Sequence, residues 1–284
     1  MSRFLSRHEL TFIPEIRLGD RVAISAWKRA PVSPRTAAIN FCQPMVRHLD
    51  QDRIHALRRQ LGDLDALILM AVGRDELLDR LTVDEYHRMA IQMNANIVVS
   101  PDDYIYDSDG KYPFYQDSHF SRAITRALEL VQLGRGHYDL VGLAVGSDQS
   151  QLREFVTVMG EQGVSDFAFA CGDLLKQGRN RRKTLNEIES FVDYLRRHGH
   201  VSMLLGIDSS RFIKRLRPDY YSSSQWSIDA SHGRYYARDG SPRKGSSIGC
   251  NHSICNSGEL SGTERLAVHN ILMKHELLSI RSDL

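Results

Sequence analysis

The amino-acid sequence predicts an α/β fold: a (β/α)8 TIM-like barrel with a C-terminal zinc-binding subdomain. Short, continuously apolar runs alternate with amphipathic helical segments, which indicates a parallel sheet covered on both faces. The number of these units in 284 residues suits a closed barrel better than an open sheet. In addition, two cysteines and two histidines lie close together near the end of the chain. These observations together define the predicted fold class.

The predicted elements follow one another in a regular order. Apolar runs at 21–27 and 38–42 begin the series, and a helical pattern follows from Asp50 to Leu61. We expect strands at 66–72, 96–100, 138–145, 166–170 and 201–205, and helices at 82–90, 118–133, 149–162, 184–198 and 209–216. Thr82 is the expected N-cap of its helix.

Two units are expected along the chain. The barrel is predicted over residues 1–238, and a zinc knot with a terminal helix, packed on the barrel, over 239–284. The segment from Asp239 to Ser247 is rich in Gly, Ser, Pro and basic residues, which is typical of an exposed loop.

The composition is that of an ordinary globular protein, with 42% hydrophobic and 25% charged residues. No apolar run approaches the roughly twenty residues that a membrane span needs. The start of the chain also lacks the apolar stretch of a secretory signal. We therefore expect a cytoplasmic protein with reduced thiols and no membrane partner.

Net charge is only +2, so bulk electrostatics do not require a nucleic-acid partner. Several runs of basic residues nevertheless lie in the C-terminal half, interleaved with aromatic residues. The basic residues are Arg179, Arg181, Arg182, Lys183, Lys214, Arg215, Arg217, Arg234, Arg238, Arg243 and Lys244, and the aromatic residues are Tyr220, Tyr221, Trp226, Tyr235 and Tyr236. Such residues neutralise phosphates and stack on unpaired bases. Solvated helix faces and core aromatics explain the same pattern.

The group near the end of the chain reads Cys250-Asn-His252-Ser-Ile-Cys255, followed by His269, which is C-x-H-x2-C-x13-H. Thiolates and imidazoles at short spacing are the donors that tetrahedral zinc takes, and four protein ligands indicate a closed structural site. The alternative is two free cysteines and two surface histidines. The other two cysteines, Cys42 and Cys171, are isolated in apolar runs and are expected to be buried.

The residues that follow the predicted strands are candidates for chemistry, because barrel enzymes place their sites at the carboxyl ends of the strands. Asp102 and Asp103 follow one strand, and either is a candidate acid or base; a turn or helix cap is the ordinary alternative. Three other strands end at glycines that would let a planar ligand approach the backbone, although glycine is also a common connector. These are Gly146, Gly172 and Gly206, the last followed closely by Asp208.

From about residue 90 onward the chain resembles the tRNA-guanine transglycosylase superfamily, and particularly the 7-deazaguanine DNA transglycosylases. The Cys/His cluster is similar to the family's zinc motif, with His252 in place of a cysteine and with His269-Asn270-Ile271 as its final part. The order of four further segments carries the resemblance: LVGLAVGS at 140–147, GVSDFAFACG at 163–172, HVSMLLG at 200–206, and DYYSSSQW at 219–226 with His232-Gly233-Arg234.

The resemblance implies exchange of guanine for a 7-deazaguanine base at an N-glycosidic bond, through an aspartate nucleophile and a second aspartate that transfers protons. Asp102 matches the proton-transfer residue. Ser222 stands at the nucleophile position, Val145 replaces a base-contacting glutamine, and Cys171 replaces the first of two glycines, whereas Gly172 is kept. The catalytic candidates are thus Asp102, Ser222 and Asp219, and the candidate substrate-binding residues are Asp103, Val145, Gly146, Cys171, Gly172 and Gly206.

These departures leave several readings open. A serine hydroxyl lacks the negative charge that stabilises an oxocarbenium ion. The first is an enzyme that cleaves or exchanges a base by another route, with Asp102, Asp103, Asp208 or Asp219 supplying the carboxylate. The second is an enzyme whose nucleophile is Asp219, three residues out of register. The third is a degenerate subunit that binds nucleic acid or an active partner. An unrelated barrel enzyme is a further alternative.

The expected partners are nucleic acid, with DNA favoured over tRNA because no further domain follows the zinc knot, the 7-deazaguanine base, and another copy of the chain or a different subunit.

Overall fold

A computed structural model of the chain describes residues 10–42, 50–73, 75–103, 115–177, 181–245 and 250–279. Its centre is a parallel sheet of eight strands in the order β1-β8-β7-β6-β5-β4-β3-β2. The strands are β1 (Thr11–Pro14), β2 (Thr36–Asn40), β3 (Ala66–Met70), β4 (Ile97–Val99), β5 (Asp139–Leu143), β6 (Asp166–Ala170), β7 (Val201–Leu205) and β8 (Tyr220–Ser223).

The sheet is nearly closed into a barrel. Its two edge strands meet through a parallel bridge between Glu15 and Ala38, and the amide of Ile16 donates to the carbonyl oxygen of Ala38 at 2.8 Å. On the other side of β1, Ile13 pairs with Ser222 of β8. Helices alternate with the strands, and the predicted (β/α)8 fold is therefore confirmed.

Helices cover the outside of the barrel and bury the apolar strands. They are α1 (Arg21–Arg29), α2 (Gln51–Leu61), α3 (Asp75–Asp79), α4 (Val83–Gln92), α5 (Tyr115–Gly134), α6 (Gln149–Glu161), α7 (Gly172–Gln177), α8 (Arg181–Arg197), α9 (Ser210–Leu216), α10 (Gln225–Ser231), α11 (Ser253–Asn256) and α12 (Gly262–Ser279). The expected cap is present, since the Thr82 hydroxyl accepts from the Glu85 amide at 3.2 Å. No helix of the described residues is long and apolar enough to cross a bilayer.

The start of the chain differs from the simple strand–helix alternation that the apolar runs predict. The run at 21–27 belongs to helix α1, because Asp20 caps it at the Ala23 amide and its buried residues, Ala23, Ala26 and Trp27, have helical spacing. Strands β1 and β8 were not predicted as strands. β1 is only four residues long and ends in proline, and β8 contains two buried serines, so neither presents a long apolar run.

The segment after the barrel packs back on it. Helix α12 contacts α1, α10 and β1. Strand β9 (Arg234–Tyr236) pairs antiparallel with β10 (Pro242–Lys244), so part of the expected loop at 239–247 is an exposed strand, while residues 246 and 247 lie outside the described residues. The predicted unit boundary after residue 238 falls between these two strands and stays a prediction.

Candidate active site and metal centre

The four predicted metal ligands converge beside the barrel. The donor atoms of Cys250, His252, Cys255 and His269 all lie within 4.8 Å of one another. Three of these residues lie in or just before the short helix α11, whereas His269 projects from α12. Two thiols and two imidazoles are a donor set that tetrahedral structural sites use. The cluster can therefore hold a metal ion.

Each histidine keeps one ring nitrogen for a metal. Nδ1 of His252 and Nδ1 of His269 are buried and have no hydrogen-bond partner. The opposite nitrogen, Nε2, bonds to the Glu276 carboxylate in His252 and lies 2.8 Å from the carbonyl oxygen of Tyr236 in His269. Donation from Nε2–H leaves a lone pair on Nδ1, which is the tautomer that a metal ligand requires. The orphaned nitrogens fit the predicted ligand role.

The thiols are arranged to exchange protons for a metal. Burial, together with the neighbouring Cys250 thiol, raises the pKa of Cys255 to about 12. Burial also lowers the pKa of His269, which favours a neutral imidazole. Because a bound divalent cation deprotonates its thiol ligands, metal binding at this cluster would release protons.

Asp102 lies where the sequence predicts a catalytic carboxylate. It follows the carboxyl end of β4, and its backbone amide donates to the carbonyl oxygen of Ala71, 2.8 Å away, just beyond the end of β3. Its side chain is partly exposed. The position is at the end of the barrel where barrel enzymes carry out their chemistry.

Asp103, by contrast, is enclosed in an ion network. Its carboxylate receives Nε of Arg122 at 2.6 Å and Nη2 at 2.7 Å, and Nδ1 of His119 lies 2.9 Å away. None of the Asp103 side chain is exposed. The two partners come from α5, so this carboxylate braces that helix against the end of β4 and does not lie on an open surface.

The candidate residues that follow β5 and β6 are closely packed. Val145 is buried, and a Cβ on Gly146 would lie 2.9 Å from the Leu152 amide nitrogen at the start of α6. Cys171 is wholly buried, its Sγ lies 3.4 Å from the Leu205 carbonyl oxygen, and burial raises its pKa to about 12. The Cys171 thiol is therefore protonated and inert near neutral pH.

Gly172 and Gly206 bring two neighbouring strand ends into direct contact. A Cβ on Gly172 would lie 2.7 Å from the carbonyl oxygen of Gly206. Gly206 itself has φ +75°, in the region that favours glycine. Glycine is therefore required at these two positions because the two backbones approach each other closely.

Ser222 and Asp219, two of the three catalytic candidates, lie in different parts of the barrel. Tyr221 points toward the outer helices, since its hydroxyl lies 3.3 Å from the Lys274 carbonyl oxygen of α12. Ser222, the next residue in the strand, therefore points into the barrel. Ser222 is fully buried, and its Oγ has no hydrogen-bond partner.

Asp219 lies at the opposite end of the barrel from Asp102. It precedes β8, and its Oδ2 accepts from both the amide and the hydroxyl of Ser202 at 2.7 Å. This carboxylate joins the starts of β7 and β8. Because parallel strands share their direction, Asp219 is at the amino ends and Asp102 at the carboxyl ends.

A second carboxylate at the carboxyl ends is Asp208, two residues after Gly206. Its Oδ2 accepts a hydrogen bond of 2.7 Å from the Tyr236 hydroxyl, and its Oδ1 forms a 2.7 Å ion pair with Nζ of Lys274. Lys274 also lies over the Tyr236 ring, 4.2 Å from its centroid. Only 1% of the Lys274 side chain is exposed, against 23% of the Asp208 side chain.

Asp229 of α10 completes this group. The Tyr236 hydroxyl is also 2.7 Å from Oδ2 of Asp229, while Oδ1 of Asp229 is bonded to Gln225 at 3.1 Å. Burial raises the pKa of Tyr236, and the two carboxylates raise it further, so the phenol keeps its single proton and donates to one carboxylate at a time. Burial lowers the pKa of Lys274, and Asp208 opposes this shift.

The metal cluster is joined to this group through β9. His269 bonds the Tyr236 carbonyl oxygen, and the Asn270 side chain accepts from the Tyr236 amide at 2.9 Å. The sequence pattern indicated Asp208 only as an alternative carboxylate and Tyr236 only as one of several aromatic residues, and it indicated neither Asp229 nor Lys274. Nothing in the local sequence links these residues, since Asp208 is separated from Tyr236 by 28 positions and from Lys274 by 66.

The basic and aromatic residues of the C-terminal half separate into two populations. The aromatics Tyr220, Tyr221, Trp226 and Tyr236 are buried, so they belong to the core. Many basic residues are exposed near the carboxyl ends of the strands, at the starts of α8 and α9 and on the β9–β10 hairpin, which the Ser210 hydroxyl ties to α9 through the Asp239 carbonyl oxygen. We call this group the basic rim: Arg181, Arg182, Lys183, Arg211, Arg238, Arg243 and Lys244.

The chain matches no model of a known protein family, and a search of curated proteins found no significant match.

Proposed function

We propose that the protein is a glycosyltransferase of the transglycosylase type, which exchanges guanine for a 7-deazaguanine derivative at an N-glycosidic bond in nucleic acid, with DNA as the favoured target. The observation that carries the proposal is the joining of a Cys2His2 cluster to the carboxyl end of a (β/α)8 barrel. The resemblance in the sequence implies this combination. Asp102, at the end of β4, takes the proton-transfer role.

The basic rim supports a polyanionic substrate. Its cations lie beside the carboxyl ends of β6 and β7, at the end of the barrel that also carries Asp102 and Asp208, although the net charge of the whole chain is only +2. Arg181 lies over the Phe212 ring at 4.5 Å, which joins the starts of α8 and α9 into one surface. Cations that neutralise several phosphates give an affinity that falls steeply with salt.

We propose zinc as the metal, because the donor set is two thiols and two imidazoles. With all four positions taken by protein ligands, the ion has a structural role. It holds α11 against α12 and, through His269, it holds β9 in place. The chemistry is left to the side chains at the barrel mouth.

The test is transfer of labelled guanine or a labelled 7-deazaguanine into DNA or tRNA by the metal-loaded protein. We expect incorporation into one of the two nucleic acids and a loss of about 10²-fold or more in Asp102→Asn. Asp63→Asn is the matched control, because Asp63 is exposed in the turn before β3, at the other end of the barrel. If neither base exchange nor base release occurs with DNA or with tRNA, the proposed transglycosylase activity is refuted.

A second candidate function is a degenerate subunit that binds nucleic acid or an active partner. The favouring observation is Ser222, which is buried at the position of the family's nucleophile and is not a carboxylate. In that case the basic rim would bind DNA or tRNA in a salt-dependent way while Asp102→Asn changed neither binding nor the activity of the complex.

A further inference from the structure

The carboxyl ends of β7 and β8 hold a carboxylate that the resemblance does not assign. Asp208 is positioned by two partners from elsewhere in the chain, the Tyr236 hydroxyl at 2.7 Å and the Lys274 ammonium at 2.7 Å. Nζ of Lys274 is also 2.6 Å from the backbone carbonyl oxygen of Asp208. Both the side chain and the backbone of Asp208 are therefore held in one place.

This arrangement differs from that of an ordinary buried ion pair in what is left exposed. The Lys274 ammonium is buried, whereas 23% of the Asp208 side chain is exposed. Oδ1 of Asp208 is buried beside the ammonium, so the cation fixes one oxygen of a carboxylate whose side chain remains partly exposed, at the end of the barrel where a substrate would bind. Preorganised partners of this kind hold a reacting group in its productive geometry.

The topology places Asp208 across the barrel from Asp102. In the strand order, β7 is separated from β4 by β6 and β5. Two carboxylates on different sides of one barrel mouth can act on the two faces of a single sugar. Asp219 cannot make this pair, because it lies at the amino ends of the strands.

We propose that Asp208 is the nucleophile of the reaction, with Tyr236 and Lys274 as its positioning residues; this rests on the proposed function. Oδ2 of Asp208 attacks C1′ of the nucleotide and forms a C1′–O bond, while Oδ1 stays buried beside Lys274. The C1′–N9 bond breaks, its electron pair stays on N9, and the carboxylic acid of Asp102 protonates the leaving guanine.

The second half of the exchange reverses these steps. The carboxylate of Asp102 takes the N9 proton of the incoming base, whose nitrogen attacks C1′. The C1′–O bond breaks, and its electron pair returns to Asp208 as carboxylate. Protons and electron pairs balance over the two halves, and no further reactant is needed beyond the incoming base.

The experiment locates the sugar on the unaltered protein. Metal-loaded protein is mixed with a guanine-containing oligonucleotide, as single-stranded DNA, duplex DNA or an RNA hairpin, in the absence of an incoming base. The reaction is quenched in acid and digested with nuclease and trypsin. Trypsin separates the candidates, because Asp208 falls in the peptide 198–211, Asp219 and Ser222 fall in 216–234, and Asp102 falls in 89–111.

We expect the pentose mass on peptide 198–211. A pentose on 216–234 or on 89–111 would overturn the assignment of Asp208 and leave the proposed function intact. Base exchange without a pentose attached to any peptide would likewise overturn the assignment of Asp208 as nucleophile. If no exchange and no adduct occur with any substrate, the proposed function fails, and this proposal fails with it.

Variants give an independent check. Asp208→Asn should lose at least about 10³-fold in exchange rate, whereas Asp63→Asn, at the other end of the barrel, should stay within about threefold of wild type. If Asp208→Asn does not fold, Asp208→Glu keeps the charge beside Lys274 but displaces the carboxylate, and it should bind the oligonucleotide normally while forming no adduct. Full activity in Asp208→Glu together with loss in Ser222→Ala would overturn the proposal.

Discussion

Asp103 and Asp208 both follow strands of the same barrel, yet their surroundings differ. Asp103 is bound by Arg122 and His119, and none of its side chain is exposed. Asp208 is bound by Tyr236 and Lys274 and keeps 23% of its side chain exposed. The charge of Asp103 is paired inside the fold, whereas the Asp208 side chain contacts Tyr236 and Lys274 and remains partly exposed at the carboxyl ends of the strands. Position after a strand therefore does not by itself identify a catalytic carboxylate.

The two regions also depend on different parts of the chain. Asp103 is held by α5, which belongs to the barrel. Asp208 is held by Tyr236 of β9 and by Lys274 of α12, and these elements are joined to the metal cluster through His269. Metal binding at the cluster would therefore stabilise the Asp208 side.

Metal removal is the largest expected perturbation of this comparison. Cys255→Ser should lose the metal and lower the melting temperature by about 10 °C or more, because metal binding at a structural site contributes directly to folding. Amide hydrogen exchange should rise first at 234–236 and 262–276, ahead of α5.

Cys42→Ser is the control, since Cys42 is buried outside the cluster and its loss should leave one metal equivalent per chain by elemental analysis. Equal loosening of α5 and α12 on metal removal would contradict the one-sided dependence.

Asp103→Asn is expected to cost about 3 kcal/mol in the free energy of unfolding, because it removes the wholly buried carboxylate that accepts two hydrogen bonds from Arg122. Urea unfolding measures this value, and base exchange per folded molecule should change little. Asp79 is the other carboxylate that pairs with Arg122, and 44% of the Asp79 side chain is exposed. Asp79→Asn should therefore cost less than about 0.5 kcal/mol. A large loss of base exchange in Asp103→Asn that still folds would show that Asp103 takes part in substrate binding or catalysis.

Acid should weaken the Asp208 side through His275, the neighbour of Lys274. Burial lowers the pKa of His275 to about 4, from about 6.5 in the unfolded chain. The contribution of neutral His275 to the free energy of unfolding is fully present above pH 6.5. It is lost as the pH falls toward 4, because the unfolded chain takes up a proton on His275 that the folded chain does not. The loss amounts to about 3 kcal/mol by pH 4.

His275→Phe should remove that part of the pH dependence, as measured by urea unfolding at pH 7, 5.5 and 4.5. The replacement suits the site, since the His275 ring packs edge-on against Phe12 at 5.7 Å. His55→Phe is the matched control on an exposed helix face and should keep the wild-type slope. Identical slopes in all three proteins would contradict a neutral buried His275.

The smallest expected effect concerns the strand ends between the two regions. Gly172→Ala should cost about 1–3 kcal/mol, because the new methyl group would lie against the carbonyl oxygen of Gly206. Gly160→Ala, with open space around its Cβ, should be neutral or stabilising by up to about 1 kcal/mol. Thermal unfolding of the pair measures the difference, and equal stability would show that the β6 and β7 ends can separate.

Much of the fold could be predicted from the sequence, because five strands, β3 to β7, are continuous apolar runs of the expected length. β8 could not, since its buried serines satisfy their backbone within the sheet and show no apolar pattern. The cluster that can hold a metal ion was predictable, because three of its four residues lie within six positions of the chain. Asp102 was predictable from its place after β4, whereas the enclosure of Asp103 depends on Arg122 and His119, which lie 19 and 16 positions away.

The sequence by itself determined the alternation of strands and helices and the metal-binding group, because hydrophobic periodicity and ligand spacing act over a few residues. Only the tertiary structure decided which carboxylate is enclosed and which is presented. Closure of the barrel and the return of α12 bring Lys274 to Asp208 across 66 positions, and no local pattern encodes a contact of that range.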